Sequence, residues 1–296
     1  MLAKNKIAIL IVIYNGKPYI RDCVESLRRQ SCNDFDIIIV DNNSEDDSVL
    51  FIRRKYPDIV LIEAKTNLGY AGGNNLGLKY ILDNSYQYVM LLNEDTIVDE
   101  RLLEVLLPYV DEVTVASPAI YYDRRGRKKW YYGGEMDWER GKSINVSTEQ
   151  IDHVREVTFV TGCCILMHID VLKKIGFFDE KYYLYYEDND LCMRMLINQI
   201  KMSNVTDVWV WHRVDYRQKS AYYIYYMTRN RLYFLRKYRK YFAISPCKAI
   251  WDYINQYWII AKPNDLKNRK YVLLGIIDYM LGKMYKRSIK KLGNKT

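Results

Sequence analysis

Apolar positions in the first hundred residues follow two alternating patterns. Continuous runs at "IAILIVI" (7–13), "DIIIVDN" (36–42), "IVLIE" (59–63) and "YVMLLN" (88–93) read as strands buried on both faces. Between them the spacing turns helical. "YIRDCVESLRRQ" (19–30) places Ile20, Val24 and Leu27 on one face behind Pro18, and "DDSVLFIRRKY" (46–56) predicts a second helix. The Gly- and Asn-rich "NLGYAGGNN" (67–75) leads into a helix that runs through about residue 82. Repeated strand–helix units predict an α/β fold, a mostly parallel sheet with helices on both faces. Ligands of such sheets sit at the carboxyl ends of strands, where Asp41, Asn67 and Asn93–Asp95 all fall.

The middle of the chain is mixed. Strands are predicted at "VTVASPAIYY" (113–122), "VTGCCILMH" (160–168) and "DVWVWH" (207–212), with a hairpin or loop around Gly133, Gly134 and Gly141. "GFFDEKYYLYYEDNDLCMRMLINQ" (176–199) is an aromatic loop that ends in a carboxylate cluster opening a helix. From about residue 217 the pattern becomes helical, over about 219–242, 246–261 and 266–288, with breaks near Pro246 and Pro263.

Composition narrows the class. With 296 residues, 49% hydrophobic and 27% charged, the chain is long enough for one large domain with a helical extension. A net charge of +9 favours anionic partners. The six cysteines form no C-x-x-C pair, which points away from a zinc ribbon or disulfide framework and towards a reducing, cytoplasmic environment. The apolar run at 7–14 is too short to span a bilayer and has no small-residue cleavage site after it. "RRGRKK" (124–129) stands without any nucleic-acid-binding motif, so a solvated turn is expected there and no nucleic-acid partner. The Asn145 and Asn204 glycosylation patterns would be inert in such a compartment.

Four places carry candidate chemistry. Asn93-Glu94-Asp95 follows a buried strand. Mg²⁺ or Mn²⁺ on a diphosphate takes only one or two protein carboxylates, so Asp95 would suffice, but a polar turn capping the next helix explains the same residues. Glu187, Asp188 and Asp190 crowd a helix start, where carboxylates are stabilised by free N–H groups and where a general base would also fit. His212 closes a strand, as a structural residue or a metal ligand. "NLGYAGGNN" has neither a dinucleotide fingerprint nor a P-loop ending, although backbone N–H groups there would suit a pyrophosphate.

Seven segments occur in order: "IVIYNGKPYIRDCVESLRRQ", "IIIVDNNSEDDS", "NLGYAGGNN", "LLNEDT", "VTGCCILM", "GFFDEKYYLYYEDNDLCMR" and "VWVWH". Together they resemble the inverting family 2 glycosyltransferases, especially the rhamnosyltransferase-like branch, over roughly residues 5–235. The resemblance implies a GT-A fold, a Rossmann-like mostly parallel sheet flanked by helices, with a C-terminal helical extension. It implies a catalytic domain over 1–216, its nucleotide-sugar half about 1–98 and its acceptor half about 99–216, followed by helices over 217–296. The implied partners are a nucleotide-diphospho-sugar (a dTDP- or UDP-sugar), a glycan or lipid-linked glycan acceptor, and a divalent cation, Mn²⁺ or Mg²⁺.

Carried over by position, Tyr14 and Asp41 hold the base, with Asn15 beside them. Asn67, Gly69 and Asn74 lie along ribose and diphosphate. Asn93-Glu94-Asp95 takes the place of a D-x-D, with Asp95 and His212 as metal ligands and Asn93 and Glu94 beside the donor. Asp188 matches the catalytic base, and Tyr185, Tyr186, Glu187 and Gly162 the acceptor side. "NED" lacks the first Asp of a strict D-x-D.

Two other classes share parts of this pattern. A nucleotidyltransferase would use the same sheet and metal but needs a Gly-rich first loop, where this chain has "YNGKPYI". A catalytically inactive glycan- or nucleotide-binding module would have no need to keep Asp95, Asp188 and His212 together. The segment 267–291 sets Val272, Leu273, Ile276, Ile277, Met280, Leu281 and Met284 among many cations, which suits either an anionic membrane surface, peripheral on the inner face of the cell membrane, or packing on the catalytic domain.

Overall fold

The computed structural model describes residues 6–122, 128–146, 153–213, 220–260, 266 and 268–287. Most of the expected turn at 123–129, Ser147 of one glycosylation pattern and the boundary near 216 lie outside these residues.

The first half builds the expected units: β1 (Ile7–Ile13), α1 (Lys17–Leu27), β2 (Phe35–Asp41), α2 (Ser48–Lys55), β3 (Val60–Glu63), α3 (Gly69–Leu82) and β4 (Tyr88–Asn93). β1 is Ile-rich at consecutive positions because helices cover both faces of the sheet, and six of its seven residues are buried. Then come β5 (Thr96–Val98), α4 (Leu102–Leu106), β6 (Thr114–Tyr121), β7 (Lys129–Tyr131), β8 (Gly134–Asp137), β9 (Lys142–Asn145), β10 (Val154–Val157), β11 (Cys164–His168), α5 (Ile169–Ile175), α6 (Glu187–Ile197) and β12 (Lys201–His212). β12 begins six residues earlier than the expected strand at 207, because Lys201–Val205 pair with Thr114–Pro118 of β6 and bury Met202, Asn204 and Val205.

The main sheet has the order β10-β12-β6-β11-β4-β1-β2-β3, with β5 on β12 and β7 on β6, while β8 and β9 pair separately. β3, β2, β1, β4, β6 and β12 run in one direction, and β11 and β10 oppose them. The chain winds outward from β1 to β3 and then returns to β4 on the other side of β1. That reversal opens a crevice beyond the carboxyl ends of β1 and β4, the usual ligand position of such sheets.

The Gly-rich stretch 67–75 opens α3, which runs to Leu82 as the sequence spacing predicts. Its glycines lie inside α3, and a Cβ on Gly73 would sit 2.6 Å from Val12 Cγ1, while one on Gly77 would collide with Leu10 Cδ1. They are packing glycines, one helical turn apart, that let α3 lie directly on β1.

The chain divides into two compact units. The first holds residues 1–136, 143–178 and 188–214. The second joins the C-terminal helices to 137–142 and the aromatic loop 179–187. Within it, α7 (Ala221–Lys237), α8 (Pro246–Ile254), a π-helical segment (Asn255–Ile259) and α9 (Arg269–Met280) follow one another. α9 packs on α7 at Gly275, where a Cβ would approach the Tyr225 carbonyl oxygen to 2.9 Å. Buried Asp278 accepts from the Tyr225 hydroxyl at 2.7 Å and pairs with Arg287 at 3.2 Å. Among the described residues no helix is long and apolar enough to cross a membrane.

Replacing Gly77 with Ala should push α3 off β1 and cost about 1–3 kcal/mol, as overpacking does. A lowered urea midpoint with unchanged slope is the expected result.

Candidate functional site

At the end of β1, Tyr14 leaves its ring 41% exposed, and its hydroxyl reaches Glu45 at 3.4 Å. Asn15 takes a left-handed backbone (φ 56°) that Asn tolerates. Its amide N–H donates to Ser44 Oγ at 2.9 Å, and its Oδ1 accepts from Glu45 N at 2.8 Å. Both bonds hold the 44–45 loop beside Asp41. Asp41 is 3% exposed, with Oδ2 accepting from Ser44 N at 3.1 Å. Its Oδ1 has no hydrogen-bond partner among the described residues. A buried acceptor in that state is costly unless a ligand donates to it.

Asn42, which the sequence analysis did not select, fastens the end of β2 to the start of α3. Its Nδ2 donates to Gly69 O at 2.9 Å and approaches Asn67 Oδ1 at 3.3 Å, and its Oδ1 accepts from Leu68 N at 2.8 Å. Asn67 Oδ1 also accepts from Gly69 N at 2.9 Å, and Gly69 uses a positive φ of 73°. Asn74 is placed elsewhere: inside α3, 1% exposed, its amide donates to the Tyr70 carbonyl at 2.9 Å. That bond makes it part of the helix scaffold rather than of the crevice wall.

The "NED" loop closes when Thr96 Oγ1 donates to Asn93 O at 2.7 Å. β5 then pairs with β12, setting Thr96 opposite His212. This register brings His212 Nε2 to 3.0 Å from Asp95 Oδ1 and 3.3 Å from Asn93 Nδ2. The imidazole is 6% exposed and lies 4.7 Å from the Trp130 ring. Arg213 N donates to Asp95 O at 2.9 Å, fixing the loop from its other side. The Glu94 carboxylate accepts backbone N–H groups, its own and that of Tyr14, and burial followed by the Asp95 charge pushes its pKa up to about 8.

One carboxylate oxygen and one imidazole nitrogen thus converge. No third His, Cys, Asp or Glu joins them among the described residues. The pair fits a cation that completes its shell with water and diphosphate oxygens, and does not fit an all-protein cage. The missing first Asp of the D-x-D is occupied by Asn93, whose amide turns to His212.

The carboxylate cluster separates by environment. Asp190 is fully buried and pairs with Arg194 at 2.9 Å, while Arg194 also donates to the carbonyls of Ile175 at 2.6 Å and Gly176 at 2.9 Å. That is a structural ion pair. Asp188 is half-buried, and its Oδ1 accepts from Asn189 N at 2.8 Å and Asn189 Nδ2 at 3.0 Å. Burial raises its pKa against the lowering effect of the N–H groups of Asn189 and Gly162. Gly162 O accepts from the Tyr70 hydroxyl at 2.5 Å. The next carbonyl, that of Cys163, accepts from Asn93 N at 3.0 Å. A short bonded path therefore runs from Asp188 through Gly162–Cys163 and Asn93 to His212 and Asp95.

Tyr185, Tyr186 and Glu187 belong to the second unit. Tyr183, Tyr185 and Tyr186 adopt positive φ angles of 65°, 68° and 73°, a costly conformation for aromatic residues. Two buried residues of α7 impose it. Asn230 Nδ2 donates to the carbonyls of Tyr182 (2.9 Å), Leu184 (2.9 Å) and Tyr185 (2.7 Å), and Arg229 Nη2 to those of Tyr182 (2.9 Å) and Lys181 (3.2 Å). Tyr185 has its pKa pushed up to about 12, mainly by burial and then by Glu187, so its hydroxyl stays protonated. Glu187 is buried. This loop ends one residue before Asp188. Sequence reasoning missed Arg229 and Asn230, although an Arg-Asn pair inside the apolar run of a helix was a readable signal. Trp130 carried none.

Comparison with known proteins follows this geometry. Residues 8–176 match the family described as Glycosyl transferase family 2. The dTDP-rhamnosyl transferase RfbF of Shigella flexneri is 24% identical over 297 residues, covering 94% of this chain and 96% of its own. The low-salt glycan biosynthesis hexosyltransferase Agl10 of Haloferax volcanii is 26% identical, covering 77% of this chain and 74% of its own. Among solved structures, S. aureus TarS 1–349 superposes with a TM-score of 0.56 at 16% identity, over 93% of this chain and 80% of its own. That likeness confirms the GT-A type of fold.

Replacing Asn230 with Leu should leave carbonyls of the tyrosine loop unbonded, at a cost of about 1–3 kcal/mol for each buried group left unpaired. A lower melting temperature and reduced glycosyl transfer with retained donor binding are expected, measured by calorimetry alongside product formation.

Proposed function

Because this chain belongs to glycosyl transferase family 2 and is a nucleotide-sugar glycosyltransferase, we propose that it transfers a hexose with inversion from a dTDP- or UDP-sugar to a hydroxyl of a growing surface or lipid-linked glycan. The observation that carries this reading is the bonded path joining Asp188 to the Asp95–His212 pair along one edge of the sheet. Rhamnose is the first sugar to consider, since the relative that covers 96% of its own length is named a dTDP-rhamnosyl transferase.

The base of the donor would lie against the exposed ring of Tyr14, with its N3–H donated to Asp41 Oδ1. Uracil and thymine carry that proton and cytosine does not. Asn67 and the N–H groups at the start of α3, a helix 14 residues long, would face ribose and diphosphate. Asp95 and His212 would hold a divalent cation, Mn²⁺ or Mg²⁺, which when bound neutralises charge on the leaving diphosphate. Asn93 would orient the imidazole, and Glu94, whose carboxylate accepts the Tyr14 N–H, would lie beside the donor.

Asp188 accepts the proton of the acceptor hydroxyl. That oxygen bonds to the anomeric carbon as the carbon–oxygen bond to the diphosphate breaks, and the nucleoside diphosphate leaves with the electron pair. Attack from the face opposite the leaving group inverts the centre. Burial makes Asp188 a stronger base than a free aspartate, which suits proton abstraction near neutral pH. Gly162 holds that carboxylate by its N–H; on the acceptor side half-buried Tyr185 would offer its ring to the sugar, with buried Tyr186 and Glu187 next to it in the chain.

Asp188→Asn should lower transfer by about 10²–10⁴-fold while leaving donor affinity intact. In the wild type, kcat should fall as pH drops through the raised pKa of Asp188, so the acidic limb lies above the range of a free aspartate. Near-wild-type turnover of the variant rejects the base. Asp95→Ala should weaken Mn²⁺-dependent donor binding roughly tenfold or more. Calorimetry that finds equal affinity with and without Mn²⁺ in both proteins removes the cation from the reading. A screen of dTDP-rhamnose and then UDP-sugars identifies the donor.

A further inference from the structure

The chain's charge is unevenly distributed. Residues 217–296 hold 19 Lys and Arg against 3 Asp and Glu, a balance of +16, so residues 1–216 carry −7 of the overall +9. The basic character therefore resides wholly in residues 217–296, and it serves none of the contacts described for Asp41, Asp95, Asp188 or His212. Such an asymmetry within one chain is the signature of an anionic partner for the basic part.

The same segment exposes apolar side chains at helical spacing. Along α8 and the π-helical segment, Trp251 (55% exposed), Ile254 and Trp258 recur at i, i+3 and i+7, followed by exposed Ile259 and Ile260. Along α9, Leu273, Ile277, Met280 (71% exposed) and Leu281 recur at i, i+4, i+7 and i+8. The opposite side of α9 is already satisfied, because Val272, Gly275, Ile276 and Asp278 are buried in the second unit. The two stripes are brought together where Arg269 Nε donates to Tyr257 O at 2.5 Å and its guanidinium lies 5.7 Å from the Trp258 ring. Exposed Lys270, Lys283 and Lys286 lie along and just beyond α9.

We propose that α8, the π-helical segment and α9 form a docking surface for an anionic lipid bilayer, lying in the interface and not crossing it. Trp at a water–lipid boundary keeps its ring in the headgroup layer, the aliphatic stripes enter the acyl boundary, and the lysines meet acidic headgroups. A second copy of this chain would have to bring a like-charged segment against the same face, which electrostatic repulsion opposes. A nucleic acid would match the charge and leave the aliphatic stripe of α9 uncovered. The surface shares no residue with the sugar-transfer site, and the other face of α9 packs on α7 within the second unit.

The test uses the full chain with phosphatidylcholine vesicles, with and without phosphatidylglycerol, in flotation. Binding is expected only with phosphatidylglycerol and should weaken as salt rises. A triple variant, Trp258→Ser, Ile259→Ser and Met280→Ser, replaces exposed groups and should lower the bound fraction roughly tenfold, with melting temperature and soluble donor hydrolysis unchanged. No flotation on phosphatidylglycerol vesicles, or equal flotation of the variant, overturns the proposal. A wild-type dimer that the variant dissociates, seen by light scattering, also overturns it in favour of a second copy.

Discussion

The antiparallel insertion of β11 between β4 and β6 is the constraint on which the site depends. A sheet of parallel strands alone would deliver only residues that follow strands to its carboxyl edge. β11 runs the other way, so the residues before it, Thr161 to Cys163, arrive at that same edge. The bond from Asn93 N to Cys163 O then fixes their height. Through Gly162 this backbone reaches the carboxylate of Asp188, and through Asn93 it reaches His212. Asp188 and the Asp95–His212 pair are thus tied to one stretch of main chain, with the Asn93 side chain making the last contact to His212.

Much of this was legible beforehand, for a physical reason. Strands buried on both faces must be apolar without interruption, and β1 and β4 carry that pattern to within a residue of their ends. The polar residues that break such runs, Asp41 and Asn93–Asp95, therefore announced the crevice. The glycines of 69–77 misled because composition does not say whether a glycine frees a loop or thins a helix. Gly69 does the first and Gly73 and Gly77 the second. Asp188 and Asp190 could not be told apart in sequence either. Their difference lies in Arg194, one turn away, which claims Asp190.

Arg229 and Asn230 show how two buried polar side chains fix the shape of a loop. Three tyrosines in left-handed conformations will not stay so unaided. Carbonyls turned inward by that geometry are bonded by two buried side chains of α7, and each partner makes the other affordable. The loop so held ends at Asp188 by chain continuity. Its shape is thus set by hydrogen-bond geometry, and its rings pack against Tyr226, Tyr223 and Phe234 of the same helix.

Asp41 offers a last consequence. Its Oδ1 is buried without a donor while Oδ2 is occupied by Ser44. The cost of stripping water from that oxygen is borne when the chain folds, before any nucleotide arrives. A base that brings an N–H to it then recovers a debt already incurred, whereas a base with a lone pair there meets repulsion as well. Selection among pyrimidines would in this way be exercised by the empty enzyme's discomfort, and a fold that tolerated it less well would also choose less sharply.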